Sequence, residues 1–555
     1  MPQASTRFRT DEQVDFVVVG SGAAGGIVAK ELATRGLKVV VLEQGPRIEP
    51  QQFEHDEFKY FFRSAITNNP ALQPQTFAPT PNQDAKRGAG MLLYARLVGG
   101  GSVHFTANYW RFHEVDFAEA TKLGPISGTG FADWPITYAE LEPYYTKAEW
   151  ELGVSGTPGP FDPPRSRPYP LPPLPVKASG VLFERGAKQL GFHPQPTPLA
   201  ILSQPYQGRN GCQHCGFCLG FGCEHRAKSS TLYTVIPVAE ATGRCEIRPN
   251  SYVRAVDVDP RSGRATGVIY FDANKVEQRQ RARAVVLCAN GAETPRLLLM
   301  SQSSRYPQGL ANSSGLVGKY LMFNGYCSVG GTFERLLNEW KSVAASRMIL
   351  DFYEADPARG FYGGGGIDAR FPGYPFGFAL GGIFGSLGPD APTWGPAYKQ
   401  LLRDSFSRTM YLAGHTTSLP LATNAVSLDP TLKDAWGLPA LRFTYQDHPD
   451  DLAMQRFLQS KSQQILDAAG ARRTWLEPVQ PSTFSVHLLG TCRMGTDRRT
   501  SVIDPTHRTH DVPNLFLCDG SSFVTSGRGQ PTCTIQALAY RAGERIADFA
   551  RRGEI

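Results

Sequence analysis

A short apolar strand, Asp15-Phe-Val-Val-Val19, runs directly into Gly20-Ser-Gly22-Ala23-Ala24-Gly25, and this juncture constrains the chain more than any other segment. A helix-like stretch follows through Arg35-Gly36. A second apolar run, Val39-Val-Val-Leu42, then ends at Glu43. The pattern predicts a βαβ unit with Gly-x-Gly-x-x-Gly at its first turn and an acid closing its second strand. Gly20 permits the tight turn, Gly22 lets backbone approach a pyrophosphate, and Gly25 lets helix and strand pack closely. The helix N-terminus, around Ala23 and Ala24, offers unpaired N–H groups to phosphate oxygens. Glu43 suits a pair of ribose hydroxyls and repels a 2′-phosphate. At this point the dinucleotide is either NAD or FAD.

At 555 residues the chain is too long for one ordinary core and predicts two or more domains. The 57 basic residues exceed the 50 acidic ones by only 7, without a long basic run, which argues against a nucleic-acid partner. No apolar run reaches the roughly 18–20 residues of a membrane span, so no transmembrane segment is expected. Met1 to Glu12 is polar, with neither a signal-type apolar region nor paired arginines. The expectation is a chain without its own export address: periplasmic if co-exported with a partner subunit, cytoplasmic otherwise.

Coarser patterning divides the rest. Residues 51–90 read as irregular and polar. Tyr138–Gly153, Ser179–Leu190, Asp450–Ala469 and Thr534–Arg551 read as helices. The seven prolines between Pro163 and Pro175 enforce an extended connection. Tyr326 to Leu441 alternates apolar and polar residues among glycines, which predicts a mainly antiparallel sheet unlike the βαβ start. After Ser485 the chain again reads as cofactor domain, with Asn514-Leu-Phe-Leu-Cys-Asp519 as a buried strand.

The C-terminal motifs carry a resemblance. His487-Leu-Leu-Gly-Thr-Cys-Arg-Met-Gly495, Asn514 to Ser522, and Gln530-Pro-Thr-Cys-Thr-Ile535 resemble the closing block of glucose–methanol–choline (GMC) oxidoreductases. Further matching stations are Arg96-Leu-Val-Gly-Gly-Gly-Ser-Val-His104, Asp133-Trp-Pro-Ile-Thr-Tyr138, Ala289-Asn-Gly-Ala-Glu-Thr-Pro-Arg296 and Asn312 to Gly318, so the likeness covers nearly the whole chain. Within the family it is most similar to bacterial FAD-dependent sugar and gluconate dehydrogenase flavoprotein subunits.

The resemblance implies FAD, in an α/β fold. A Rossmann-like FAD-binding domain, discontinuous in sequence (12–324 and 486–555), is joined by an α+β substrate domain (325–485) with a mainly antiparallel sheet. It implies that Gly99, Gly100 and Ser102 lie along the flavin and that Asp519 and Gly520 lie near the diphosphate and ribityl chain. Asp519 also has the plainer reading of a cap or turn acid. In some relatives a His at the position of His104 is bonded to the flavin; the alternative is packing beside it.

His487 matches the family's active-site His. Alcohol oxidation needs a base for the hydroxyl proton while hydride leaves carbon, and a neutral imidazole is suited to that near neutral pH. Gln530 stands where the family usually has His or Asn. It can hold a substrate oxygen but cannot act as a base. His415 and His448 read by default as loop or surface residues.

Ten cysteines are present, and four are clustered: Cys212-x2-Cys215-x2-Cys218-x4-Cys223, within an insertion at 205–230. Four thiolates so spaced, among glycines, can enclose an iron–sulfur cluster. The family branch points the same way, with three-iron or four-iron forms both open. Zinc and unligated thiols are the alternatives, and His214 or His225 is an alternative ligand. With a cluster, electrons pass to a partner acceptor, and electron-accepting and small chaperone-like subunits are expected as partners. Without one, the expected enzyme is a GMC-type alcohol oxidase that uses oxygen. The substrate expected is a sugar, glycoside, sugar acid, polyol or other alcohol.

Overall fold

The computed structural model describes residues 7–383 and 386–555. Val14–Val19, Val39–Leu42 and Cys245–Arg248 pair in parallel, and the long strand Glu277–Leu287 joins the other side of Val14–Val19. Leu515–Leu517 adds in parallel to the end of that long strand, while Ala265–Phe271 and Tyr252–Val258 extend its beginning antiparallel. These parallel strands are apolar at nearly every position because both faces are covered. Phe16, Val18, Val39, Val41 and Val286 face one core, against the helices Gly25–Ala33 and Thr532–Arg551. Val17, Val19, Val40, Val285 and Leu287 face a second. The two ends of the chain thus build one sheet.

A six-stranded antiparallel sheet follows the order Arg473–Leu476, Gly325–Thr332, Thr409–Thr416, Gly365–Arg370, Ala345–Ile349, Gln195–Pro196. Its period-2 pattern separates two faces. Val329, Ile367, Ala369 and Leu412 pack against Met454, Leu458 and Ile465 of the helix Pro449–Ala468. The opposite face carries Tyr326, His415, Asp368 and Arg370. A four-stranded sheet pairs Pro439–Thr444 in parallel with Gln75–Ala78.

Two segments differ from expectation. Residues 75–78 are a fully buried strand rather than part of an irregular polar stretch, because the amides and hydroxyls there find partners: Gln75 exchanges hydrogen bonds with the Leu92 backbone, and Thr76 donates to Asp429. With Lys86–Arg87 beside it and Gln195–Pro196 in the six-stranded sheet, this strand joins sheets whose other strands come from 325–485. No helix among the described residues is long and apolar enough to cross a membrane.

Candidate active site

A cavity of about 1190 Å³ runs between the parallel sheet and the antiparallel sheet. That exceeds the roughly 300–1,000 Å³ of an ordinary small-molecule site. Gly20, Gly22, Ala23, Ala24 and Glu43 line it. Gly100, Ser102, His104, Asp519, Gly520, His487 and Gln530 line it too. Of the FAD contacts expected from sequence, Gly25 and Gly99 stand behind the wall. A Cβ on Gly25 would lie 1.9 Å from the Gly20 carbonyl oxygen, so this glycine serves helix–strand packing. Gly99 has φ of +94° and donates its N–H to Ser21 Oγ at 3.1 Å.

Several observations fit a dinucleotide. The first helix, Gly25–Ala33, starts without a side-chain cap, and the two residues just before it, Ala23 and Ala24, line the cavity. A Cβ on Gly22 would meet nothing nearer than Gly100 Cα at 3.6 Å; the glycine leaves room rather than avoiding a clash. Glu43 accepts from Ser21 N–H and Oγ at 3.1 and 2.8 Å and from Gly45 N–H at 3.0 Å. That fixes the carboxylate and leaves lone pairs for further donors. Asp519 caps a short turn through Ser521 N–H at 2.8 Å and also accepts from Asn290 N–H and Thr294 Oγ1. It is therefore a cap and a cavity residue together. His104 has a buried Nε2 without a hydrogen-bond partner among the described residues. Burial, then the nearby Lys228 ammonium, lowers its pKa to about 4, so it is neutral.

His487 is held by its backbone, which exchanges hydrogen bonds with Ser485 Oγ. Burial, then the neighbouring His415 and Arg370, lowers its pKa to about 3. The imidazole is thus an unprotonated base at neutral pH. Gln530 lies 3.4 Å from His415 through Nε2 and Nδ1.

His415 corrects the reading of a loop or surface residue. It is buried in the strand Thr409–Thr416 and lines the cavity. Its Nε2 lies 3.1 Å from Asp368 Oδ2. The same Nε2 lies 3.1 Å from Arg370 Nη2. With the proton on Nε2, shared with the carboxylate, Nδ1 accepts one N–H of Gln530 and leaves the second for the cavity. Arg370 grips Asp368 at 2.6 and 3.0 Å, and Asn108 donates to it at 2.8 Å. Burial opposes ionisation of Asp368, but Arg370 and His415 outweigh it and hold the carboxyl well below its ordinary pKa. The signal in the sequence was the alternation Ile367-Asp368-Ala369-Arg370, whose polar members share one face. His448, by contrast, caps the helix Pro449–Ala468 through Asp450 N–H.

The four clustered cysteines sit on an irregular loop turned by Gly216 and Gly220, both with positive φ. None lines the cavity, but Leu219 and Gly220 between them do, and Gly220 N–H donates to the His104 carbonyl at 2.7 Å. Buried Lys228 ties the loop down through the carbonyls of Phe105, Cys218 and Phe221. Among the described residues, the trio of ligand atoms lying within 4.8 Å of one another is His55, Cys215 and Glu224. All ten cysteines are free thiols.

Comparison with known proteins agrees with this geometry. Sequence profiles described as GMC oxidoreductase match residues 14–322 and 420–539. The chain is 35% identical to 2-methyl-1,2-propanediol dehydrogenase of Mycolicibacterium austroafricanum, over 97% of this chain and 95% of that one. It is 31% identical to the fructose dehydrogenase large subunit of Gluconobacter japonicus, over 97% and 98%. It is 28% identical to the gluconate 2-dehydrogenase flavoprotein of Pantoea cypripedii, over 97% and 94%. Among solved structures, pyridoxine 4-oxidase from Mesorbium loti shares the fold, with a TM-score of 0.64 at 17% identity over 96% of this chain and 99% of that one.

Proposed function

The chain belongs to the GMC oxidoreductase family, and from that premise we propose that it oxidises a hydroxyl of a sugar, glycoside, sugar acid or polyol to the carbonyl, with His487 as proton acceptor. The observation that carries this is a half-buried, unprotonated imidazole lining the same cavity as the glycine-rich dinucleotide cradle. When bound, FAD supplies the acceptor for the hydride at its ring nitrogen N5. Gly20 to Ala24 and Glu43 would hold its adenosine and pyrophosphate end, and Gly100, Ser102, His104, Asp519 and Gly520 would hold the remainder.

The chain's own part begins with the substrate hydroxyl. His487 takes its proton as the carbon–oxygen bond gains double-bond character. Gln530 donates its second amide N–H to the same oxygen, in an orientation fixed by His415. Burial keeps the imidazole unprotonated before substrate arrives, so no prior deprotonation is needed at neutral pH. Three relatives support the substrate range: their names specify a branched diol, fructose and gluconate.

Cys212, Cys215, Cys218 and Cys223 would hold an iron–sulfur cluster, which would supply a one-electron outlet to an electron-accepting partner. The support is the loop's own turns at Gly216 and Gly220 and its contact with the cavity wall at His104. A relative named as a large subunit supports an assembly with further subunits; a small chaperone-like subunit is the further partner of this proposal. The compartment follows the partner: periplasmic with co-export, cytoplasmic without.

Anaerobic bleaching of the flavin by a panel of sugars and polyols tests the catalytic assignment. His487→Ala is expected to slow bleaching by about 10²–10⁴-fold while FAD content is retained. Near-normal bleaching in the variant would overturn the role of His487. Iron and acid-labile sulfide in the purified protein test the cluster. Iron-free protein that makes hydrogen peroxide in step with substrate loss would instead identify an oxidase.

A further inference from the structure

The polar face of the antiparallel sheet carries more chemistry than proton transfer requires. Arg370 and His415 come from the adjacent strands Gly365–Arg370 and Thr409–Thr416, on the same face, and both line the cavity beside His487 and Gln530. Asp368, fully buried beneath them, takes Arg370 through Nε and Nη2 and takes His415 through Nε2. That grip uses one edge of the guanidinium. Nη1 has no hydrogen-bond partner among the described residues, and it is not among the buried polar atoms that lack one. A planar guanidinium fixed along one edge presents the remaining N–H groups in a rigid direction. Its charge is balanced by Asp368.

We propose that Arg370, held by Asp368, forms a second oxygen subsite beside the reacting carbinol, so that the enzyme selects neutral polyhydroxyl substrates over monohydric alcohols. Arg370 donates to a hydroxyl oxygen next to the carbon being oxidised, while Gln530 and His487 engage the reacting hydroxyl. Because the Arg370–Asp368 pair is neutral overall, a carboxylate gains little over a hydroxyl there. An alcohol lacking the second oxygen leaves Arg370 without that partner in a partly dehydrated chamber, which is the condition under which a missing hydroxyl is penalised most. The proposal rests on reading the cavity as a carbinol-oxidising chamber.

The test uses anaerobic flavin bleaching by the intact holoprotein with 1,2-propanediol, 1-propanol, glycerol and glycerate. The diol is expected to exceed 1-propanol in bleaching efficiency by at least about tenfold, and glycerate is expected to do no better than glycerol. Arg370→Lys keeps the charge for Asp368 but loses the fixed fork, and is expected to bring the diol advantage down to about threefold or less. The double variant Asp368→Asn with Arg370→Met removes both charges together and is expected to bring the ratio of diol to 1-propanol bleaching down likewise. A diol advantage that survives Arg370→Lys overturns the subsite, as does glycerate exceeding glycerol tenfold. Loss of FAD from Arg370→Lys also overturns it, assigning Arg370 to the cofactor instead. Native protein bleached equally by 1-propanol and the diol overturns the subsite but keeps the carbinol reading. No bleaching by any of the four overturns both.

Discussion

The His487 imidazole is surrounded by neighbours that all disfavour a positive charge on it. Burial removes the water that would solvate an imidazolium, and His415 and Arg370 add to the penalty, so its pKa falls from an ordinary 6.5 to about 3. The sign for activity follows directly. A base with a lowered pKa is already unprotonated through the acid range, so its protonation does not limit turnover until pH falls toward that value. The acid limb of kcat/KM for flavin reduction is therefore expected well below pH 6.5, read from a pH profile of anaerobic bleaching. An acid limb at or above 6.5 would show that the base is not His487. His487 was legible in the sequence because it sits in a contiguous motif, His487 to Gly495. His415 and Arg370 were not, for a physical reason. Their meeting depends on strand register, with Gly366 opposite His415 and Arg370 opposite Tyr411, between segments some 45 residues apart.

At the scale of elements, the glycine-rich turn joins two separable jobs. Gly25 is required by packing: an added Cβ would overlap the Gly20 carbonyl, and neither backbone can give. Gly25→Ala is expected to cost about 3 kcal/mol or more and to lower the denaturation midpoint of the FAD-free protein. Gly22 faces space, with Gly100 Cα 3.6 Å from the point an added Cβ would occupy. Gly22→Ala is expected to leave the midpoint of the FAD-free protein within about 0.5 kcal/mol of native while weakening FAD binding at least about tenfold. Fluorescence titration of apoprotein with FAD, beside urea unfolding, separates the two. Equal loss of stability in both variants would contradict this division. The turn and its strands were legible because the βαβ unit is local, closed within thirty residues by its own hydrogen bonds. The strand Gln75–Ala78 was not legible, since its parallel partner lies at Pro439–Thr444 and its polar side chains hide its burial.

For the whole molecule, the cavity is the joint. Its lining draws on Gly20 to Glu43 and Asp519 from the parallel sheet region, and on Tyr326, Arg370 and His415 from the antiparallel sheet. The chain crosses between these regions repeatedly: Gln75–Ala78 and Gln195–Pro196 pair with strands of the later segment, and Leu515–Leu517 returns to the first sheet. Neither region closes its own core without strands contributed from elsewhere in the sequence, so the two are expected to unfold together. FAD binding spans both regions and is expected to stabilise them as one. At free FAD one hundredfold above Kd the gain is about 2.7 kcal/mol, which for a chain of this size raises Tm by a few degrees. Calorimetry across an FAD titration is therefore expected to show one transition that moves upward as a unit. Two transitions, of which FAD moves only one, would mean that the cavity joins two independently stable domains and that the strand exchange between them adds little cooperativity.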